Sequence, residues 1–433
     1  MLFNNIAVLT ENKTVKPDCF VITEADRITY IGDKKPQNYF GREYDGRGKL
    51  LLPAFFNVHS HLTMAPLRGF GENLPLHEWL QTRIFPFEAR LSDEDIFWGA
   101  LAGITEALRF GIASCSDMYS RNEAIVRAVI GSGIKANIGV DLLCFDNSNL
   151  THLPQFTLLD YLLKTYDGAE GGRVRIACSV HAEYTSTEKI VRQAAEYAQK
   201  KECLVHLHLS ETAKEHNECK QRHAGKTPAQ YFRDCGFFAR PATAAHCIWL
   251  EGEDFEILRA NGVSVASCPK SNLKLGSGIC NAHKLLDMGI NLAIATDGVA
   301  SNNNLNMLEE MKVFALLQNG LNGTGSLFNP AQVLAMATRA GALAQMRTES
   351  GIIATGAKAD LTVIDMSQIY WRPQTDILAN LLYAACGTDV CLTMVDGKVL
   401  FEDGDYPTID AERVAWEIEQ TAQRIGYELK ASK

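Results

Sequence analysis

The chain has 433 residues, 46% hydrophobic and 21% charged, a globular composition with room for one large enzyme domain and an appendage. Its 42 Lys and Arg against 51 Asp and Glu leave a net charge of −9 with no long basic run, so nucleic-acid and polybasic membrane partners are set aside. The 12 cysteines form no CxxC pair and sit mostly in apolar runs, which reads as buried free thiols in a reducing compartment. Met1-Leu-Phe-Asn-Asn-Ile lacks the basic and apolar regions of a signal peptide, and no apolar run approaches the ~18–20 residues of a membrane span. The expectation is a cytoplasmic protein acting on a small molecule, with homo-oligomerisation left open.

In chain order, Ile6 to Thr10, Cys19 to Thr23 and Arg27 to Ile31 read as short β-branched strands separated by polar turns. From about residue 52 to 348 the texture changes to apolar runs alternating with helical stretches. The strand-like runs are Leu51–His61, Gly111–Tyr119, Ile134–Leu143, Val174–Tyr184, Cys203–Glu211, Ala242–Leu250, Gly262–Asn272 and Asn291–Gly298. Ser92–Phe110, Thr187–Lys201 and Leu305–Leu317 are the clearest helices between them. Eight βα units fit a (β/α)₈ barrel, usually ~250 residues or more. A doubly wound open sheet fits less well, because no GxGxxG turn follows the first strand. Gly356 to Asp365 and Val390 to Leu400 are again strand-like. The reading is therefore an α/β protein with a catalytic barrel over 53–348. A small composite β-sandwich is built from 1–52 and 349–433, the latter ending in a helix.

The polar residues of interest cluster by position. His59-Ser-His61, His208 with Glu211, His246 and Asp297 all fall at the C-terminal ends of proposed strands, the mouth of a barrel. His59 and His61, two apart on a strand, present both imidazoles to one face. His206 shares a face with His208 but lies ~6.6 Å deeper, which suits a core or supporting role. His181 ends the fourth strand and is expected to touch substrate. His77, His152, His216, His223 and His283 lie in helices or loops and read as surface residues. Three His and one Asp suit a catalytic divalent ion, Zn²⁺ first and Fe²⁺ second, with a water completing the shell. Such an ion lowers the pKa of bound water from about 15.7 toward ~7. Glu211, just beyond His208, is placed to shuttle a proton, and His246 and Asp297 to hold and deprotonate the attacking water.

At these residues the sequence resembles the amidohydrolase superfamily. The matching stretches are Leu52-Pro-Ala-Phe-Phe-Asn-Val-His59-Ser-His61, His206-Leu-His208-Leu-Ser-Glu211-Thr, Ala244-Ala-His246-Cys, Ser267-Cys-Pro-Lys-Ser-Asn272 and Thr296-Asp297-Gly-Val-Ala-Ser301. With Gly356 to Asp365 and Val395-Asp-Gly-Lys they span nearly the whole chain in the family's order. Within the superfamily the chain is most similar to the 5′-methylthioadenosine/S-adenosylhomocysteine deaminases. That resemblance implies one metal held by His59, His61, His208 and Asp297, with Glu211, His246 and Asp297 moving protons. Binuclear members carry a Lys at the end of the fourth strand, where this chain reads Ser179-Val-His181-Ala-Glu183-Tyr184. The resemblance also assigns Glu88 to the ribose diol and sets His181 against the substrate.

Members acting on S-adenosylhomocysteine use arginines in and after the third strand to hold its carboxylate. The segment Asp141-Leu-Leu-Cys-Phe-Asp-Asn-Ser-Asn-Leu-Thr-His152 has no Lys or Arg, although Arg68 or Arg83 from another loop could substitute. The expected activity is therefore hydrolytic deamination of an adenine nucleoside. Methylthioadenosine, 5′-deoxyadenosine or adenosine is favoured over S-adenosylhomocysteine. The alternatives are hydrolysis of another aminated or chlorinated heterocycle (a guanine derivative, pterin or triazine) and a non-catalytic scaffold that has kept the fold.

Overall fold

A computed structural model of the chain describes residues 1–37 and 39–431. Among the described residues, sixteen strands fall into two sheets. The first strands are β1 (Leu2–Leu9), β2 (Val15–Glu24), β3 (Arg27–Gly32), β4 (Glu43–Asp45) and β5 (Lys49–Pro53). The last are β14 (Leu361–Asp365), β15 (Val390–Val395) and β16 (Lys398–Glu402). Together they make one sheet in the order β16-β15-β14-β5-β1-β2-β3, with β4 paired to β1. Phe3, Ile6, Val21, Leu51, Val363 and Leu392 pack into its own core. The joint between the chain's two ends is the antiparallel β5–β14 pair, where Leu51 faces Val363 and Lys49 faces Asp365. The expected meeting of the two termini is thus made by backbone hydrogen bonds.

The remaining strands are β6 (Phe55–Ser60), β7 (Ile112–Tyr119), β8 (Lys135–Asp141), β9 (Val174–Val180), β10 (Leu204–Leu209), β11 (Ala242–His246), β12 (Ser264–Ser267) and β13 (Leu292–Ile294). They lie in sequence order, each parallel to the next. Most are buried along their whole length, as strands covered on both faces must be. The run Leu51–His61, expected as one strand, is two. Its start, in Lys49–Pro53, joins the terminal sheet, and Phe55–Ser60 opens the barrel. The stretch across the junction, Leu50 to Phe56, is apolar and buried throughout, so periodicity gives no boundary between them. Likewise Gly262–Asn272 is strand only over Ser264–Ser267. Pro269, lacking an N–H, starts the helix Pro269–Lys274 instead.

The seam between β13 and β6 is closed by a side chain. The Asn57 amide donates to Thr296 Oγ1 at 2.7 Å and its carbonyl accepts from the Thr296 N–H at 3.0 Å, imitating a ladder rung. The Asp297 N–H then donates to the His59 carbonyl at 3.1 Å. Beneath, Gln345 plugs the barrel floor, donating to the Asn57 carbonyl at 2.9 Å and accepting from Ser114 Oγ at 2.5 Å.

The segment after β6 is held by the helix Asp93–Arg109. This helix begins with a capping box: Asp95 N–H donates to Ser92 Oγ, and the Asp95 carboxylate accepts from the Ser92 N–H. Its glycines let the loop behind the paired histidines sit against it. A Cβ at Gly99 or Gly103 would lie 2.4 Å from the Thr63 carbonyl or 2.5 Å from that of Leu62. Sheet and barrel are tied by a buried cluster in which Lys135 Nζ lies 2.6 Å from Asp360 and 2.7 Å from Asp396. All of the cysteines are unpaired among the described residues, and all but Cys386 are buried.

Candidate active site

All the strand-end residues singled out in the sequence converge at the barrel mouth. His59, near the end of β6, and His61, just beyond it, have ring centroids 4.9 Å apart and planes nearly perpendicular. His208 on β10 lies 4.8 Å from His59 by ring centroid. The candidate ligand atoms of His59, His61 and His208 are all within 4.8 Å of one another, as are those of His59, His246 and Asp297. Asp297 Oδ1 is 3.4 Å from His59 Nε2 and 3.3 Å from His61 Nε2. Two of these residues leave the strands in a left-handed conformation, His246 at φ 71° and Asp297 at φ 62°. Non-glycine residues held there cost of order 1–3 kcal/mol each and concentrate at functional sites.

The imidazoles are oriented from behind. His61 Nδ1 donates to the Met118 carbonyl at 2.6 Å and His208 Nδ1 to the His181 carbonyl at 2.7 Å, which turns Nε2 of each toward the centre. His59 Nδ1 shares a hydrogen bond with His206 Nε2 at 3.1 Å, the supporting role expected of His206. Among the described residues the buried His59 Nε2 makes no hydrogen bond, its contact being the Asp297 carboxylate at 3.4 Å. Burial pulls His59 down to about 4 and His206 and His208 well below the ordinary range, so these rings are neutral, the form that ligates metal. His61 is the exception. Burial opposes its charge, but the Asp297 carboxylate against it lifts it to about 9. Asp297 itself is buried, yet the two imidazoles hold it well below the carboxylate range. Ser271 Oγ and Ser301 Oγ donate to its other oxygen at 2.5 and 2.9 Å, and the Gly298 N–H to Oδ1 at 2.8 Å. Three imidazole nitrogens, one of them orphaned, and a firmly ionised carboxylate form a donor set that fits a divalent cation.

Glu211 and His246 face each other across the same space, with Glu211 Oε2 3.8 Å from His246 Nε2. Burial raises the Glu211 carboxyl, and Ser277 Oγ donates to its Oε1 at 3.1 Å. His246 Nδ1 donates to Asn272 Oδ1 at 2.8 Å, turning Nε2 into the cavity. Glu215, on the helix that follows, accepts from the Ser210 and Glu211 N–H groups at 3.1 and 2.7 Å and so fixes the turn carrying Glu211.

The cavity above these groups is also lined by His181, Glu88, Trp79, Leu80, Ile84 and Asp141. The His181 ring centroid is 4.5 Å from that of His208, and among the described residues its Nδ1 has no hydrogen-bond partner. Glu88 Oε1 accepts from the Tyr119 hydroxyl at 2.6 Å, and burial raises the carboxyl. A π-helical turn over Leu80–Ile84 widens the segment Leu76–Glu88, so that Leu80, Ile84 and Glu88 all reach the cavity. No Lys or Arg is among the described residues lining it. Arg68 is engaged elsewhere, by Glu106 and the Asn303 carbonyl, and Arg83 lies outside the lining.

The roles of Tyr119, Asn272, Ser271, Ser277, Ser301 and Glu215 were not read from the sequence. Asn272, Ser271 and Ser277 sit in the Ser-Asn-Leu-Lys-Leu-Gly-Ser run, whose polar spacing was the available signal. His216 corrects the surface expectation: it is buried, sharing a hydrogen bond with Ser210 Oγ at 3.2 Å.

Comparisons with known proteins agree with this geometry. The chain is 36% identical to a 5-methylthioadenosine/S-adenosylhomocysteine deaminase of Dictyoglomus thermophilum over 98% of each chain. It is 36% identical to a 5'-deoxyadenosine deaminase of Methanosarcina acetivorans over 94% of this chain and 93% of that one. Among solved structures, an adenosine deaminase from Xanthomonas campestris with bound zinc superposes with a TM-score of 0.91 at 27% identity, covering 98% of both chains. The amidohydrolase family profile matches residues 50–400, and the chain belongs to that family.

Proposed function

We propose that the protein is a cytoplasmic, zinc-dependent deaminase that hydrolyses adenine nucleosides to their inosine counterparts and ammonia. The observation that carries this reading is the convergence of His59, His61, His208 and Asp297 beside the facing pair Glu211 and His246. The deaminases named among the relatives support the substrate class.

His59, His61, His208 and Asp297 would hold one Zn²⁺ or Fe²⁺, and the absence of Lys from β9 and its end supports a single ion. When bound, such an ion makes hydroxide available from water at neutral pH. His246 and Asp297 take the proton of the attacking water. Glu211, its carboxyl raised by burial, donates its proton to N1 of the purine; of the two protons the water gives up, one passes to the departing amine and the other restores Glu211. His246, its Nδ1 committed to Asn272, offers Nε2 to the oxygen arriving at C6. Glu88 accepts from the vicinal ribose hydroxyls, and His181 lies against the base, so both act by orientation. The lack of a cationic side chain in the lining favours an uncharged 5′ substituent over the homocysteine tail.

The test is incubation of zinc-loaded protein with methylthioadenosine, 5′-deoxyadenosine and adenosine, following ammonia and the ultraviolet change from adenine to hypoxanthine. Turnover of at least one, lost by a factor of about 10²–10⁴ in Glu211→Gln, is the expected result. No ammonia from any of the three would overturn the reading.

A further inference from the structure

The barrel divides its mouth into two walls. The groups that do chemistry come from β6, β10, β11 and β13, so a purine whose C6 edge meets Glu211 and His246 must direct its sugar toward β7, β8 and β9. On that side stand the Glu88–Tyr119 pair and Asp141, the last residue of β8.

Asp141 lines the cavity while only 7% exposed, and its Oδ1 has no hydrogen-bond partner. Of the other carboxylates nearby, Glu88 accepts from Tyr119 and Glu211 from Ser277, while Asp117, whose Oδ1 accepts from the Leu62 N–H at 2.7 Å and whose Oδ2 also lacks a partner among the described residues, is not part of the cavity lining. A buried carboxyl oxygen left without a partner in a protein wall is costly, and a ligand that brings a donor removes that cost. No Lys or Arg lines the cavity among the described residues, whereas Glu88, Asp141, Glu211 and Asp297 all do. A carboxylate arriving at this wall would lose its hydration and meet no cation.

We propose that Asp141 is the specificity-determining residue of the sugar-side wall: it accepts a hydrogen bond from a donor at the 5′ end of the nucleoside and excludes 5′ substituents that carry a carboxylate. The inference rests on the nucleoside reading above. It assigns Asp141 to substrate selection, so its substitution is read as a change in the ranking of substrates.

The experiment compares wild type, Asp141→Asn and Asp141→Arg, each checked for zinc content and circular dichroism. The kcat/KM ratio of adenosine to S-adenosylhomocysteine is measured for each. Wild type should favour adenosine at least tenfold, and both variants should shrink that preference at least fivefold. Arg should act more strongly than Asn because it supplies the missing cation. Binding is read separately, in a Glu211→Gln background without turnover, as the Kd ratio of adenosine-5′-carboxylate to adenosine by tryptophan quenching. The same direction of change is expected there. Ratios unchanged within twofold in both folded variants would overturn the proposal. A binding preference that responds to Asp141 in a protein that deaminates none of these compounds would uphold the wall and refute the reaction.

Discussion

Asn57 is the most informative single position, because it closes the barrel and braces the candidate metal site together. Asn57→Ala removes two hydrogen bonds, at 2.7 and 3.0 Å, and leaves the buried Thr296 N–H without an acceptor. Two net bonds at about 1 kcal/mol each and an orphaned donor at about 1–3 kcal/mol give a loss of about 3–5 kcal/mol. The damage lies one residue from Asp297 and two from His59, whose N–H to carbonyl bond spans the same seam. Loss of a group that orients a ligand costs typically 10–100-fold in metal affinity. Urea unfolding followed by circular dichroism gives the first quantity, and competition for zinc against a chromogenic chelator gives the second. Thr243→Ala, which removes a bond of only 3.5 Å, is the control and should change little. If Asn57→Ala unfolds within 1 kcal/mol of wild type and binds zinc within threefold of it, the seam does not couple closure to the site.

Tyr119→Phe should raise KM for ribosides about tenfold with kcat little changed, because Glu88 loses a hydrogen bond worth about 1.5 kcal/mol or more; equal effects on free adenine would contradict this. Lys135→Met strands the buried Asp360 carboxylate and should cost about 3–5 kcal/mol in urea melts, much of it restored by adding Asp360→Asn. Glu310 is buried and raised to about 8, so the native state holds a proton that the unfolded chain releases near 4.5. Its contribution therefore makes stability fall as pH rises from about 4.5 to 8, by at most about 1.4 kcal/mol per pH unit, and flatten above. Glu310→Gln should lessen that slope; an identical pH profile of urea midpoints would count against it.

The barrel was readable because its strands are apolar, short and separated by amphipathic helices. The candidate site was readable because His59-Ser-His61, His208, His246 and Asp297 all mark strand ends. What escaped is whatever depends on a neighbour distant in sequence. The Asn57–Thr296 rung joins residues from opposite ends of the barrel sequence, and nothing local to either announces it. The Tyr119 bond to Glu88 and the buried place of His216 arise the same way. The division of Leu51–His61 was hidden because the residues on either side of the junction between two strands of different sheets are all apolar and buried.

The β5–β14 pairing carries a consequence for biosynthesis. Lys49–Pro53 leaves the ribosome long before Leu361–Asp365 exists to cover its edge. Throughout translation of the barrel, that nascent strand and its leucines present an open, sticky border. Co-translational assembly of this sheet is therefore incomplete until the chain is nearly finished, which makes the N-terminal strands natural clients for chaperones while the barrel is being made.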